Sequence, residues 1–478
     1  MTVNPSANPK ICIVGGGLSG LAAASKLQRL LPNAEISIYE AGPRVGGVMH
    51  SEKAGSFLID HGADMFATNP PAAVDLCETL GVSNDLIQPK EEGRGAKIVR
   101  DGKLVPLPEG FVLMRATQLF PMLKTPLLSI AGKIRFLFER WIPARKGEMA
   151  NQDESISEFV TRRMGKEMLD RIVAPLAAGI YTADINRLSM LATMGPIAKM
   201  EAEYGSLARA TTARRRSGKD SVERNSTGAR YSQFRAFRGG MIQLIEALVA
   251  DLPEKCIHLN SAVTSLEPRS DGGWEIRTPQ QSLSCDELIL ATPPEVSSHL
   301  LKEQCPKAAE QLAEVEASSV AIVVLGIRRS QIKDHPNCFG FVVPLTENRK
   351  ILACSFASAK FSGRAPDDEV LIRVFVGGAM QPQLLENSDQ TLIELVRTEL
   401  SELIGLEGET SIEKVIRWDK AMPQYHVGHR DRVEQIEVAI DQIENLTLIS
   451  NAFHGVGIAP LIGQAEKAAH SLASRYAV

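Results

Sequence analysis

Apolar positions along the chain follow two rhythms. Short unbroken apolar runs read as buried strands: ICIV at 11–14, ISIY at 36–39, LILA at 288–291 and LTLI at 446–449. The segments LAAASKLQRLL (21–31), IQLIEALVADL (242–252) and LIGQAEKAAHSLASRY (461–476) carry helix-forming or amphipathic patterns. Strands alternating with helices predict an α/β unit around a parallel sheet. A second set of runs has no helices between its members: VAIVVLGI (320–327), CFGFVVPL (338–345), KILACSFAS (350–358) and EVLIRVFVGG (369–378). It predicts a largely antiparallel sheet. Residues 91–215 are mostly helical in pattern. Within them Ile130, Ile134, Leu137 and Trp141 form one stripe, with Lys133, Arg135 and Arg140 outside it. Such a stripe reads first as core-facing; contact with an anionic membrane surface is the alternative. The basic, small-residue stretch RRRSGKDSVERNSTGAR (214–230) reads as a solvated loop.

Composition narrows the class. The 478 residues are too many for one core. A hydrophobic share of 44% and a charged share of 23% are those of a soluble protein, and a net charge of −4 argues against a general nucleic-acid binder. The seven cysteines form no C-x-x-C pair, so buried free thiols in a reducing compartment are expected and no metal is. The first ten residues, MTVNPSANPK, contain no apolar signal core, and no run of 18 apolar residues exists. A cytoplasmic location is therefore expected.

The first apolar run ends in glycines spaced Gly15-x-Gly17-x-x-Gly20, with Gly16, Leu18 and Ser19 between them. This is the dinucleotide fingerprint. The first glycine permits the turn, the second lets backbone approach a pyrophosphate, and the third lets helix pack on strand. Glu40 ends the next strand, 20 residues past Gly20, where a carboxylate accepts from ribose hydroxyls. FAD and NAD share these features. The residues just beyond Glu40 separate them: Ala41-Gly42-Pro43-Arg44-Val45-Gly46-Gly47 resembles the R-x-G-G extension of the amine-oxidase-like FAD superfamily. The resemblance implies that Arg44, Gly46 and Gly47 approach the pyrophosphate and flavin, and that backbone near Val263 holds adenine. Near the C-terminus Gly455-Val456-Gly457-Ile458 opens a second helix, whose N-terminus suits the N1/C2=O edge of a flavin.

The fold expected is therefore α/β. A discontinuous Rossmann-like FAD-binding domain (1–90, 236–300 and 421–478) is joined to a mixed or antiparallel-sheet substrate domain (216–235 and 301–420). A helical insertion (91–215), with membrane contact open, lies between.

Several longer stretches are more specific. RIVAPLAAGIYTADINRLSM (171–190) resembles a motif of the oxygen-dependent protoporphyrinogen and coproporphyrinogen oxidases, as do NQDESISEFVTRRMG (151–165), KIVRDGKLVPLP (97–108) and RWDKAMPQYHVGH (417–429). The resemblance implies a porphyrinogen substrate and O2 as the oxidant, with three rounds of two-electron oxidation giving three H2O2. Hydride passes from a bridge carbon to the flavin N5, so no side chain is named as catalytic. It places Trp418 near the flavin and has the Gly179 carbonyl accept from pyrrole N–H groups. Leu352 and Phe375 are candidate apolar walls, and Lys97 a candidate propionate contact. Two departures stand out. Ala96 occupies a position where many protoporphyrinogen oxidases have arginine, and the usual E-x-G-P turn reads Asp60-His61-Gly62-Ala63. Which of the two porphyrinogens is used stays open, as does a homodimer. His454 and His61 are candidates for proton transfer, weighed against roles as hydrogen-bonded turn residues. Two other readings also stay open: an amine oxidase or carotenoid desaturase, and a non-catalytic FAD-fold porphyrin carrier.

Overall fold

The computed structural model describes residues 8–112, 114–145, 152–217 and 231–476. One unit is a five-stranded sheet in the order Ile257–His258, Glu35–Tyr39, Lys10–Val14, Glu287–Leu290, Leu446–Leu448. Every neighbouring pair is parallel. The beginning, middle and end of the chain thus share one sheet. Its apolar runs are unbroken because both faces are covered. Ile11, Ile13 and Ile38 pack with helices Leu18–Leu30, Ile242–Ala250 and Ile458–Ser474. Cys12, Val14 and Leu288 pack on the opposite side with the small antiparallel sheet holding Trp274 and with helices Pro306–Ala313 and His429–Ile440.

The second unit is a seven-stranded sheet in the order Ile412–Pro423, Ala317–Arg328, Glu369–Gly377, Ala353–Phe356, Gly340–Val342, Ala96–Arg100, Lys103–Pro106. Only the pairing of Gly340–Val342 with Ala96–Arg100 is parallel. Helix Asp389–Ile404 covers one face. The other face meets Phe57 and Ile59 at one end and the helical segment at the other, where Ile98 packs with Ile156, Phe159 and Ile172. Two segments sit elsewhere than the patterning suggested. The hairpin 96–106 is built into this sheet, not among helices. Phe234–Phe237 pairs with Phe66–Ala67 and Leu86–Ile87, beside the parallel-sheet unit.

The expected core-facing stripe is overturned. In helix Ile130–Leu137 and the turn Phe138–Trp141, Ile130 is 78% exposed, Ile134 50% and Trp141 66%, and Phe120 beside them is 65% exposed. Arg135 and Glu139 are the polar groups of this segment that face inward, while Leu137 is half-buried and Arg140 exposed. Arg135 donates to the carbonyls of Thr161, Arg162 and Arg163, which end helix Ile156–Met164. Glu139 is buried, pairs with the fully buried Arg163, and accepts from the N–H groups of Leu207 (2.8 Å) and Ala208 (2.9 Å), capping helix Leu207–Arg216. Charged groups that are fully partnered can be interior, so charge alone did not mark the outer face.

All seven cysteines are buried and unpaired. Among the described residues no helix is long and apolar enough to cross a membrane. Asn151 and residues 218–230, most of the basic stretch, lie outside the described residues.

Removing Glu139 leaves the fully buried Arg163 with Glu201 (3.2 Å) as its remaining carboxylate and strips the acceptor from the Leu207 and Ala208 N–H groups. Glu139→Ala is therefore expected to destabilise the protein by about 3 kcal/mol in chemical denaturation. Arg140→Ala, next to it but exposed, should change stability by less than about 0.5 kcal/mol.

Candidate active site

The glycine turn forms where Lys10–Val14 leaves the sheet. A side chain on Gly15 (φ +107°) would lie 2.5 Å from the Ala291 carbonyl oxygen, and one on Gly20 would lie 2.0 Å from the Gly15 carbonyl oxygen. Both positions need glycine for close approach. Gly17 differs: a side chain there would meet nothing within 4 Å, so the turn faces open space. Leu18 and Ser19 begin the helix, buried. Gly46 donates to the Gly16 carbonyl (2.8 Å), and Gly47, at φ +57°, lies against Gly17. The R-x-G-G segment therefore closes over the fingerprint turn. Arg44 and Ala41 are exposed at its edge.

Glu40 accepts from the Gly16 N–H (2.8 Å) on one oxygen and the Gly42 N–H (2.7 Å) on the other. Each oxygen keeps a lone pair for a further donor. The carboxylate thus fixes the glycine turn as well as suiting a ribose. The chain at 260–261 runs alongside: Asn260 donates to the Gly42 carbonyl and Ser261 to the Glu40 carbonyl, bringing the Val263 segment to the same edge.

A second helix N-terminus lies on the same face of the sheet, where helix Ile458–Ser474 packs directly against Leu18–Leu30. Helix Ile458–Ser474 starts after the exposed Gly457, with Ile458 buried. Neither this helix nor Leu18–Leu30 has a side-chain cap or an acidic residue in its first turn. Two unneutralised positive dipole ends at the carboxyl edge of one parallel sheet suit a long anionic dinucleotide. Tyr425 holds the turn before the second helix: its hydroxyl donates to the Asn451 carbonyl and accepts from the Gly455 N–H (3.0 Å). His429 stacks on Tyr425 at 4.0 Å, and its Nε2 lies 3.3 Å from the Phe453 carbonyl oxygen. Burial pushes this imidazole down to about 4, so it is neutral at neutral pH.

The turn Asp60-His61-Gly62-Ala63-Asp64 connects the two units. Asp60 accepts from Ser51 and the Met241 N–H (2.8 Å) and lies 3.3 Å from the fully buried Arg364. Asp64 pairs with Lys360 (2.9 Å) and Arg373 (3.2 Å). Arg373 also donates to the Gly62 carbonyl, and the Trp418 indole donates to that of His61 (3.0 Å). Burial alone would raise the Asp64 carboxyl; Lys360 and Arg373 outweigh it and hold it at about 2. Its stabilising contribution is present above about pH 4 and is lost as pH falls toward 2.

Gly179 lies in the last turn of helix Ala174–Tyr181, where helix geometry leaves carbonyls without intrahelical partners. A side chain on Gly179 would sit 3.3 Å from Val342. The helix end is tied to the sheet: the Thr182 carbonyl accepts from the Ala379 N–H, and Gln424 donates to the Tyr181 carbonyl. Leu352 packs near Gly378 and Thr182, and its N–H bonds the Phe375 carbonyl. Phe375 is half-buried on the face that carries Arg373, toward Phe57 and Trp418. Gly179, Val342, Leu352 and Phe375 thus line one side of the sheet.

Lys97 does not join them. It pairs in register with Phe341, whose side chain packs among residues on the face covered by helix Asp389–Ile404, and its charge acts on His335 and Cys338 there. Neighbouring residues of a strand point to opposite faces. Ala96, Ile98 and Arg100 are therefore on the Gly179 side. Arg100 lines a cavity of 460 Å3 with Leu127, Glu167, Arg171, Pro344 and Glu347. His454 is 49% exposed and hydrogen-bonds Glu437 (2.6 Å), while the His61 Nε2 lies 3.0 Å from Glu52 without hydrogen-bond geometry.

Motif spacing does not point to Arg364, Arg373 or Lys360, and although Tyr425 lies in the RWDKAMPQYHVGH segment, nothing there signals its role in holding the Gly455 turn. A signal existed for Arg373: it is the one charged residue inside the otherwise apolar run VLIRVFV.

The chain resembles known proteins over nearly all its length. It is 30% identical over 464 residues to coproporphyrinogen III oxidase of Bacillus subtilis, covering 96% of each chain. It is 32% identical over 483 residues to coproporphyrinogen III oxidase of Propionibacterium freudenreichii, covering 96% of this chain and 90% of that one. A crystal structure from Exiguobacterium sp. 255-15, provisionally named a protoporphyrinogen oxidase, superposes with a TM-score of 0.86 at 27% identity, over 99% of this chain and 100% of that one. Residues 18–470 match the family model described as flavin containing amine oxidoreductase. With two uncapped helix ends and a glycine cradle fitted to a dinucleotide, and a family match across the chain, this protein belongs to the flavin-containing amine oxidoreductases and its cofactor is FAD.

Proposed function

We propose that the protein is an FAD-dependent oxidase that converts a porphyrinogen, coproporphyrinogen III or protoporphyrinogen IX, to the porphyrin in haem biosynthesis. Six electrons pass to three O2, giving three H2O2. The observation that carries this reading is the position of Gly179. The helix bearing it is fixed by Thr182 and Gln424 against a sheet face lined by Leu352 and Phe375, and that face continues to the turn at Gly62. Coproporphyrinogen III oxidase names on the relatives from B. subtilis and P. freudenreichii support the same substrate class.

The bound flavin supplies the two-electron redox chemistry. The chain contributes position and environment. Glu40, Gly16 and Gly46 shape the cradle, and Arg44 lies at its edge. Tyr425, held against a neutral His429, fixes the turn at Gly455–Gly457. Arg373 and Trp418 hold the 61–62 carbonyls. Gly179 offers a carbonyl to pyrrole N–H groups, and Leu352 and Phe375 give an apolar wall that excludes water. No histidine is needed as a base. The parallel-sheet unit is the FAD domain and the seven-stranded sheet the substrate domain, with the helical segment covering the substrate side.

Propionate recognition passes from Lys97 to Arg100, because, of the two cations on strand Ala96–Arg100, Arg100 is the one on the Gly179 side. The protein is cytoplasmic. The exposed residues Phe120, Ile130, Ile134 and Trp141 rest on a membrane surface, with Lys124 and Arg140 beside them for anionic headgroups. Self-association through the same patch is the competing use.

Three predictions test this reading. Porphyrin fluorescence and peroxide should appear with either porphyrinogen, at about three H2O2 per porphyrin; peroxide formed with benzylamine but with neither porphyrinogen would overturn the assignment. Arg100→Gln should raise KM for coproporphyrinogen about 5- to 10-fold, while Lys97→Gln changes it less than about 2-fold. Sedimentation with phosphatidylglycerol vesicles should fall sharply in Phe120→Ser/Trp141→Ser with turnover retained; a shift from dimer to monomer in light scattering, without vesicle binding by the wild type, would assign the patch to self-association.

A further inference from the structure

A cluster outside the reaction chemistry lies on the hairpin formed by Ser51–Ala54 and Phe57–Asp60. Ser51 pairs with Asp60, so His50 and His61 face each other just beyond the pair, and the His61 N–H bonds the His50 carbonyl (2.8 Å). Glu52 is two residues from His50 and projects from the same face of the hairpin. The two imidazoles meet edge to face at 4.7 Å. One imidazole nitrogen of each histidine and a Glu52 oxygen all lie within 4.8 Å of one another. All three side chains are half-buried, and the His50 Nδ1 is buried with no hydrogen-bond partner among the described residues. The Lys414 ammonium, on a side chain 38% exposed, contacts Glu52 from the adjacent sheet.

We propose that His50, Glu52 and His61 bind a divalent transition-metal ion of the zinc class, in competition with Lys414. Two imidazoles and one carboxylate are the donor set of a three-ligand zinc site, with a fourth position left for water. Nitrogen donors disfavour magnesium and calcium, which take oxygen ligands. The chain reaches this arrangement through hairpin register alone, and neither imidazole has a part in the proposed oxidation. Lys414 occupies the Glu52 carboxylate when no ion is bound. Its partial exposure lets it swing into solvent when one is. The ion would sit next to the residue that begins the 61–64 turn.

The test is equilibrium titration of chelator-treated holoenzyme with ZnCl2 against a chromophoric zinc chelator. One Zn2+ per chain is expected, undisturbed by a large excess of Mg2+. His50→Gln and His61→Gln should each weaken binding at least about 10-fold. Lys414→Gln should tighten it about 2- to 5-fold, because a competing cation is removed. Flavin absorbance and unfolding temperature report whether each variant folds. If a histidine variant does not fold, Lys414→Gln decides alone. Zinc affinity unchanged or weakened in Lys414→Gln, or retained in folded His50→Gln, overturns the proposal.

Discussion

Two buried carboxylates, four residues apart, hold the molecule's halves together. Asp60 and Asp64 bracket the turn His61-Gly62-Ala63, and both are anchored to cations distant in sequence: Arg364 on Asp60, Lys360 and Arg373 on Asp64. Buried charges are costly unless paired and hydrogen-bonded, and here Asp60 also accepts from Ser51 and the Met241 N–H. Losing one partner from such a set costs about 3–5 kcal/mol, so the turn has little freedom to move. Its backbone is held from the seven-stranded sheet by Arg373 and Trp418. If, as proposed, one unit binds the cofactor and the other the substrate, the two need a fixed relation, and this turn supplies it.

The rest of the site is mostly backbone. Glycines at 15, 20, 46 and 47 allow close backbone approach, Gly17 opens the turn to space, two helix ends supply positive potential, and in the proposed reading the Gly179 carbonyl meets the substrate. Side chains such as Glu40 and Tyr425 shape that backbone. This division of labour explains why a redox enzyme can lack an obvious catalytic side chain: orientation and exclusion of water are the protein's contribution when the cofactor carries the electrons.

The features readable in the sequence were those that depend on local geometry. The fingerprint turn, Glu40 and the second helix start are set by spacing over a few residues, and the structure places them at one sheet edge. The central strands of both sheets were readable from unbroken apolar runs, whereas Ile412–Pro423 (IEKVIRWDKAMP) and Lys103–Pro106, at the edges of the seven-stranded sheet, carry no such run. Three features were not. Ile98 and Val99 are both buried, because their strand is covered on both faces; with no polar alternation, the side on which Lys97 lies could not be inferred. The stripe from Ile130 to Trp141 faces outward because Arg135 and Glu139 find complete partners inside, a fact set by residues 161–163 and 207–208. The cations on Asp60 and Asp64 come from some 300 residues away, and only tertiary contact reveals them.

The account stands on the claim that porphyrinogen delivers electrons to the flavin held in this cradle. Anaerobic stopped-flow mixing of the holoenzyme with coproporphyrinogen III tests it most directly. Loss of the oxidised flavin's visible absorbance in a single turnover, with recovery on admitting O2, is the predicted result. Porphyrinogen that binds while the flavin stays oxidised would contradict the account and make the protein a carrier.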